Sequence, residues 1–224
     1  MLDLLLGTTL FLALIAGIFI PLEGWFPRTH SAIAPRAALL CVALLFLDVL
    51  VMEALGGPIL DALADLRPAL TDPSAWRIAL VLLLAEVCGY WAHRLMHRVP
   101  RLWRYHAVHH APTHLTWLEA WRQHPLDFLI HGLIVGLPGA LLGASLADIG
   151  AVVLLRKVYT TFLHANLRWR LTWLEPWIAT PAYHARHHSH DPRDYRRNFA
   201  GMLPLLDRLF RTHAPAHSPG PTSP

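Results

Sequence analysis

The sequence predicts an all-α, multi-span membrane protein with about four transmembrane or intramembrane helices and a helical cap that holds a histidine-rich di-metal site. Two observations on composition and pattern predict the membrane part: 54% of the 224 residues are hydrophobic while 15% are charged, and the apolar residues form long segments. Soluble domains are less apolar and carry about 25% charged residues. The third observation, three histidine-dense strings between these segments, predicts the cap.

Four apolar segments are long enough to cross or enter a bilayer, since roughly 20 apolar residues cross about 30 Å of hydrocarbon. They cover about residues 4–21, 37–55, 76–90 and 128–163. The first has neither the basic start nor the cleavage site of a signal peptide, so we expect a mature helix. The fourth predicts a helical hairpin that folds either at Pro138 and Gly139 or within residues 143–148.

The arginines predict the orientation of these helices. Lys157 is the only lysine, and most arginines lie near the histidine strings, which gives the chain its net charge of +4. Arg28 and Arg36 lie in the first connection, and Arg94 and Arg98 follow the third segment. By the positive-inside rule, the first connection and the histidine strings face the cytoplasm. No basic stripe typical of nucleic-acid binding is present, so we expect no nucleic-acid partner.

We expect one integral-membrane domain over residues 1–212. Residues 1–90 form mainly membrane spans, 91–125 a first histidine segment of the cap, 126–163 a membrane hairpin and 164–212 a second histidine segment; the Pro-, Ser- and Gly-rich residues 213–224 read as disordered. The arginine-rich, lysine-poor composition is typical of a GC-rich bacterial genome, which predicts a bacterial inner membrane. Cys41 and Cys88 lie in apolar segments and are expected to be small core residues, not disulfides or metal ligands.

The histidine strings have the spacing of metal ligands. On a helix, residues i, i+3 and i+4 share a face, so each string can direct two or three imidazoles to one place. Neutral imidazole suits Zn, Fe, Cu and Ni. Eight imidazoles exceed one tetrahedral shell, so we expect two metal ions. The pattern Tyr-His-Ala-x-His-His occurs at residues 105–110 and again at 183–188, which predicts two similar half-sites.

Tryptophans accompany the histidine segments. An amphipathic indole is frequent at headgroup depth, so we expect these side chains to anchor the cap against the membrane. They are Trp103, Trp117, Trp121, Trp169, Trp173 and Trp177.

Residues 84–212 resemble the fatty acid hydroxylase superfamily, the membrane di-iron group that includes sterol desaturases and C4-methylsterol oxidases. The resemblance rests on an HxxxH string, an HxxHH string and a distant second HxxHH string. Shorter matches are Arg-Gln-His-Pro at 122–125, Phe-Leu-His-Ala-Asn at 162–166, Asn-Phe-Ala-Gly at 198–201 and Asp-Arg-Leu-Phe-Arg-Thr at 207–212. Ala200 and Arg211 stand where glycine is usual in that superfamily, which predicts an altered local turn or surface contact and not a change in the metal ligands.

The resemblance implies a set of metal ligands, with no catalytic residue separate from them. They are His93, His97, His106, His109, His110, His184, His187 and His188, with His164 as a ninth. Some relatives carry another histidine one turn before the ninth, but here that place is Thr160. His124 or water could supply the missing ligand; alternatively, His124 is a helix-start residue held by Pro125.

Carboxylates commonly orient metal-bound histidines by accepting the free ring N–H. We rank Glu86 and Asp191 first for this role, because Glu86 shares a helical face with His93 and Asp191 follows the last string. Asp127 and Asp194 lie near other strings, and each of these carboxylates could equally be a cap or a surface charge.

The resemblance implies an oxidoreductase with two Fe ions that uses O₂ to hydroxylate a C–H bond of a lipid, whether sterol, fatty acyl, carotenoid or hopanoid-like. Zn could replace iron in purified protein. The compact length predicts no fused cytochrome domain and hence a separate electron-donor protein. A lipid desaturase on the same centre remains open, as does a non-catalytic, zinc-stabilised membrane scaffold. A metal transporter is disfavoured because the histidines lie in one cap and not within the spans.

Overall fold

The computed structural model describes residues 1–30, 33–66 and 75–215. Within these ranges every regular element is a helix, apart from one isolated antiparallel bridge between Pro27 and Leu167. The all-α prediction is therefore confirmed. Residues 216–224 of the predicted disordered tail lie outside the described residues.

The predicted membrane spans are helical and longer than their apolar patterns. They are α1 (Leu2–Trp25), α2 (Pro35–Val51), which passes through one π-helical turn (Met52–Gly56) into α3 (Gly57–Ala64), and α4 (Ala75–Arg98). Among the described residues, three helical stretches are long and apolar enough to cross a membrane: Leu2–Trp25, Pro35–Ala64 and Ile78–Arg98. The chain is thus built as an integral membrane protein.

The fourth apolar segment forms the predicted hairpin of α6 (Pro125–Leu141) and α7 (Leu146–His164). The chain reverses at residues 142–145, where Gly143 has a positive φ of 68°. The Ser145 hydroxyl caps α7 by accepting the backbone N–H of Asp148 at 3.1 Å. Of the two predicted folding points the second is right; Pro138 lies inside α6, near the end of the helix.

The cap consists of short helices and loops at the ends of α4 and α7. It contains α5 (Pro100–His106), a 3₁₀ turn (Trp117–Trp121), α8 (Pro181–His187), a 3₁₀ turn (Pro192–Asp194) and α9 (Leu205–Leu209). The first connection docks on it, since Arg28 N donates to Asn166 O at 3.0 Å and Arg168 N donates to Phe26 O at 2.9 Å. The first connection and the histidine segments therefore lie together, as the arginine distribution predicts.

Trp117 and Trp121 lie in the protein core and do not anchor the cap in the membrane interface. Trp117 and Trp121 are 7% and 4% exposed and belong to the hydrophobic core. Their rings pack on Phe19 and Phe11 of α1, with centroids 6.4 and 5.6 Å apart. The prediction is wrong for this pair because the 3₁₀ turn is enclosed between the cap and the spans. Trp173 and Trp177 are exposed, as the prediction requires.

Candidate metal centre

Nine buried or half-buried imidazoles form two adjacent clusters. Within each cluster the nitrogen atoms that could bind a metal lie within 4.8 Å of one another. The first cluster consists of His93, His97, His106, His110 and His187, and the second of His109, His164, His184 and His188. All eight histidines of the three strings and the ninth, His164, are thus brought together.

The two HxxHH strings exchange histidines between the clusters. His106 and His110 enter the first cluster while His109 enters the second. In the later string, the outer pair enters the second cluster and His187 enters the first. In each HxxHH string two of the three imidazoles thus converge on one place, within the two or three that the spacing predicts, and the third joins the other cluster. Successive helical residues differ by about 100° in direction, so i and i+4 stay within about 40° while i+3 and i+4 diverge.

Helix ends position these side chains. His93 and His97 lie on the last two turns of α4, and His164 is the last residue of α7. The strings of α5 and α8 each follow a proline near the first helical position, where the missing N–H costs nothing. Thr180 caps α8 by accepting the N–H of Tyr183 at 3.1 Å. Local structure at the starts of α5 and α8 therefore helps to position these two histidine strings.

Backbone carbonyls fix the orientation of four of the nine imidazoles. A carbonyl oxygen only accepts, so the ring nitrogen facing it is Nδ1–H and the lone pair lies on Nε2. The pairs are His93 with Phe199 O at 2.8 Å, His187 with Arg197 O at 2.8 Å, His109 with Arg122 O at 3.2 Å and His164 with Thr160 O at 2.8 Å. His106 Nδ1 instead lies 3.0 Å from Asp127 Oδ2.

The unpartnered nitrogens fit metal ions. In the first cluster the Nε2 atoms of all five histidines are buried without a hydrogen-bond partner. In the second cluster His109 Nε2 lies 3.1 Å from His164 Nε2, and both atoms carry lone pairs because both Nδ1 atoms donate to carbonyls. Buried polar atoms are rarely left unpaired, and facing lone pairs repel. A cation bound by each cluster would satisfy both sets of atoms.

Five of the clustered imidazoles are held neutral, which is the form that binds metals. Burial, followed by the neighbouring imidazoles, lowers the pKa values of His109, His110, His184 and His188 well below the ordinary value. For His187, burial lowers the pKa to about 3. Desolvation disfavours the charged imidazolium, so each nitrogen lone pair is available near neutral pH.

Three of the predicted site residues lie outside the clusters. His124 is half-buried, accepts the N–H of Leu126 at 3.1 Å at the start of α6 and packs on the ring of Tyr105. Glu86 forms a buried ion pair with Arg156 and accepts the N–H of Met202. Asp191 pairs with Arg193 at 2.6 Å and caps the following 3₁₀ turn. His124 thus has the helix-start geometry that was the alternative to a ligand role.

Asp127, which the sequence ranks below Glu86 and Asp191, is the carboxylate found at a clustered imidazole. It lies in the first turn of α6, is 1% exposed and contacts His106. The sequence could not single out Asp127 by its distance from a histidine string, because Asp127 and His106 are 21 residues apart in the chain.

Two motifs follow the last histidine string, at residues 198–201 and 207–212, and both act on the site through backbone carbonyls. Asp207 accepts the N–H groups of Phe199 and Ala200 at 2.9 and 2.7 Å, and thereby holds the loop whose carbonyls face His93 and His187. Asn198 has a φ of 57°, which asparagine tolerates better than most residues. The sequence contained both motifs but no signal of this orienting role.

The two departures from the superfamily pattern differ in their local effect. Arg211 adopts a φ of 57° where glycine is usual, so a strained turn replaces a relaxed one. Ala200 is 1% exposed and its φ is not positive, so the methyl group fits without backbone strain.

Among the described residues, an inner and an outer cavity reach the clusters, and no clustered histidine lines both of them. The inner cavity, about 180 Å³, has a largely apolar wall from the spans and reaches His93 and His106 of the first cluster. It also reaches three histidines of the second cluster, His109, His164 and His184. The outer cavity, about 470 Å³, is lined by the remaining four, His97, His110, His187 and His188. The two cavities therefore reach different members of the clusters.

Known proteins are similar in sequence to the part of the chain that carries the two clusters. The family described as fatty acid hydroxylase matches residues 78–212. An ornithine lipid hydroxylase of Rhizobium tropici is 36% identical over 155 residues, 67% of this chain and 45% of that protein. An alkylglycerol monooxygenase of Danio rerio is 30% identical over 142 residues, 63% of this chain and 31% of that protein.

A very-long-chain aldehyde decarbonylase of Oryza sativa subsp. indica is 35% identical over 156 residues, 63% of this chain and 24% of that protein. The chain thus spans less than half the length of these curated relatives. No solved structure matches the chain.

Proposed function

This chain belongs to the fatty acid hydroxylase family, and we propose that it is an oxidoreductase that uses O₂ to hydroxylate an unactivated C–H bond of a membrane lipid at a di-iron centre. The observation that carries the proposal is the pair of clusters. They bring together nine imidazoles, and several of the ring nitrogens are buried without a hydrogen-bond partner. Iron suits neutral imidazole, and so does zinc. When bound, two ferrous ions would supply the electrons and sites for dioxygen reduction.

The residues of the inner cavity would select and orient the lipid. Met52, Phe128, Gly132 and Val135 provide an apolar wall between the spans and the histidines. A lipid chain can enter such a space from the bilayer without crossing water, and the same wall excludes water from the reacting carbon. About 180 Å³ accommodates only a segment of an alkyl chain. We therefore propose an acyl or alkyl lipid as substrate, in line with the ornithine lipid and alkylglycerol of the relatives' names.

The proposal includes the placement and the co-reactants of the enzyme. Residues 1–212 would form one integral-membrane domain in a bacterial inner membrane, with the histidine cap in the cytoplasm where Arg28 and Arg98 indicate it. Hydroxylation of one C–H bond by O₂ consumes two electrons and two protons and releases one water. A separate electron-donor protein would supply the electrons.

Metal content and isotope incorporation test the proposal. The full chain, purified in detergent from iron-supplemented cells, would be analysed for metals, loaded anaerobically with ferrous iron and placed in nanodiscs of bacterial lipid extract. After chemical reduction and exposure to ¹⁸O₂, we expect lipids carrying one ¹⁸O as a hydroxyl group. New double bonds without ¹⁸O would indicate the desaturase. Zinc that ferrous iron does not replace, with no lipid product, would indicate the scaffold and overturn the proposal.

A matched pair of histidine variants links the product to the clusters. His109→Ala removes a member of the second cluster, whereas His114→Ala removes an exposed histidine outside both clusters. We expect His109→Ala to lose metal and product together and His114→Ala to retain both. Full activity of His109→Ala would contradict the ligand assignment.

A further inference from the structure

We propose that the outer cavity and the arginines around it form the docking surface for an acidic one-electron carrier protein. This inference rests on the proposed function, since only a redox reaction at the clusters requires such a carrier. The surface is defined here by the cavity residues Arg98, Trp103, Tyr195 and Arg196 and by the exposed arginines of the two chain segments that border it.

The inner and the outer cavity reach different histidines of the two clusters. The outer cavity reaches His97, His110 and His187 of the first cluster and His188 of the second, so a protein seated there would face ligands of both. The inner cavity contacts only the other five. A carrier in the outer cavity would therefore not compete with a lipid in the inner cavity. The proposed reaction needs both partners to be bound at the same time.

The charge of the outer surface is strongly positive. Six exposed arginines lie on the segments 98–104 and 193–197: Arg98, Arg101, Arg104, Arg193, Arg196 and Arg197. Two acidic residues lie in or next to the second segment. Asp191 is paired with Arg193, and Asp194 is 4% exposed. Clustered charge of one sign steers a partner of the opposite sign and raises its association rate by about 10- to 1000-fold. The complementary partner is an acidic protein.

Trp103 connects this surface to the first cluster. Its side chain is 38% exposed, so a docked protein could contact it directly. The centroid of its ring lies 5.0 Å from that of His97 and 5.5 Å from that of His110. An aromatic ring thus spans the distance between the protein surface and two metal-binding imidazoles, which suits entry of electrons better than binding of a lipid headgroup.

Anaerobic electron transfer from a known acidic carrier tests the docking surface. The di-ferric holoenzyme in zwitterionic nanodiscs would be mixed with a reduced plant-type [2Fe–2S] ferredoxin in a stopped-flow instrument, and ferredoxin oxidation followed at several salt concentrations. We compare Arg98→Glu/Arg101→Glu, at the proposed surface, with Arg36→Glu/Arg170→Glu. The control makes the same charge change at exposed arginines outside the cavity lining.

We expect the second-order rate of the wild-type protein to fall with salt, and the rate of Arg98→Glu/Arg101→Glu to fall by about tenfold or more at low salt. The control variant should change by less than about twofold. Equal losses in both variants, no salt dependence, or no transfer to the wild-type protein would overturn the proposal. Unchanged transfer accompanied by weaker insertion into anionic nanodiscs would assign the arginines to lipid headgroups and overturn it as well.

Chemical reduction separates this inference from the proposed function. A small reductant bypasses docking, so Arg98→Glu/Arg101→Glu should form as much ¹⁸O-labelled lipid as the wild-type protein in a single turnover. Product from chemical reduction with no ferredoxin oxidation by the wild-type protein would overturn the docking surface alone. Normal ferredoxin oxidation with no lipid product would leave docking supported and overturn the hydroxylation.

Discussion

The two histidine clusters share the same imidazole chemistry but differ in number and in support. The first cluster has five members, and Asp127 contacts one of them, His106. The second has four, and its member His164 comes from the membrane hairpin and not from a string. In the second cluster the described Nδ1 contacts of His109 and His164 are to backbone carbonyls.

The difference indicates that the two metal positions would be unequal. A five-membered cluster can lose one imidazole and still offer a tetrahedral set, whereas a four-membered cluster cannot. A carboxylate partner also raises the basicity of the imidazole it contacts. We therefore expect the first cluster to hold its metal more tightly and the second to be the more exchangeable position.

Alanine variants of two adjacent histidines give the largest expected effects. His109→Ala and His110→Ala should each lower hydroxylation by more than about 100-fold, beyond the loss typical of an outer partner. Because they belong to different clusters, His109→Ala should lose about one metal per chain and His110→Ala should lose less. Metal analysis after dialysis measures this. Equal metal losses in the two variants would mean that the clusters are equivalent.

Asp127→Asn tests the carboxylate support of the first cluster. The amide oxygen can still accept from His106 Nδ1–H, but the negative charge is lost, so we expect metal affinity or activity to fall about 10- to 100-fold. Competition with a chromophoric chelator measures the affinity. Asp191→Asn, which removes a charge paired with Arg193, is the control and should change little. A larger effect at Asp191 would restore the order in which the sequence ranks these carboxylates.

Gly132→Val tests the role of the inner cavity beside both clusters. A Cβ at Gly132 would lie 3.2 Å from Met52 Sδ, so the larger side chain must narrow the cavity. We expect kcat/KM for the lipid to fall by about tenfold, with unchanged metal content. Gly150→Val is the matched control, because a Cβ there meets nothing within 4 Å. A comparable loss in the control would indicate a general effect on the hairpin.

His124→Ala gives the smallest expected effect. Its imidazole caps α6 outside both clusters, so its loss should destabilise the protein by about 1 kcal/mol and leave the metal content of both clusters unchanged. Thermal unfolding of the loaded protein and metal analysis measure the two quantities, with His114→Ala as the control. Loss of metal would return His124 to the ligand set.

The eight string histidines could be found from the sequence because their i, i+3 and i+4 spacing is local. The apolar segments were equally clear, and the hairpin turn was narrowed to two places. Trp117 and Trp121 were misassigned because composition does not tell an interfacial indole from a core indole. Asp127 and His124 could not be ranked, since their contacts depend on how α6 packs beside α5.

By itself the sequence determined that the chain is helical, membrane-embedded and rich in histidines with the spacing of metal ligands. Hydrophobic pattern and helical spacing act over a few residues, and their physical consequences are local. The tertiary structure decided which imidazole joins which cluster, because His109 and His110 diverge around one turn and meet partners that are distant in the chain. It also decided which histidines line the inner and which the outer cavity, since the residues that line each cavity come from segments brought together only on folding.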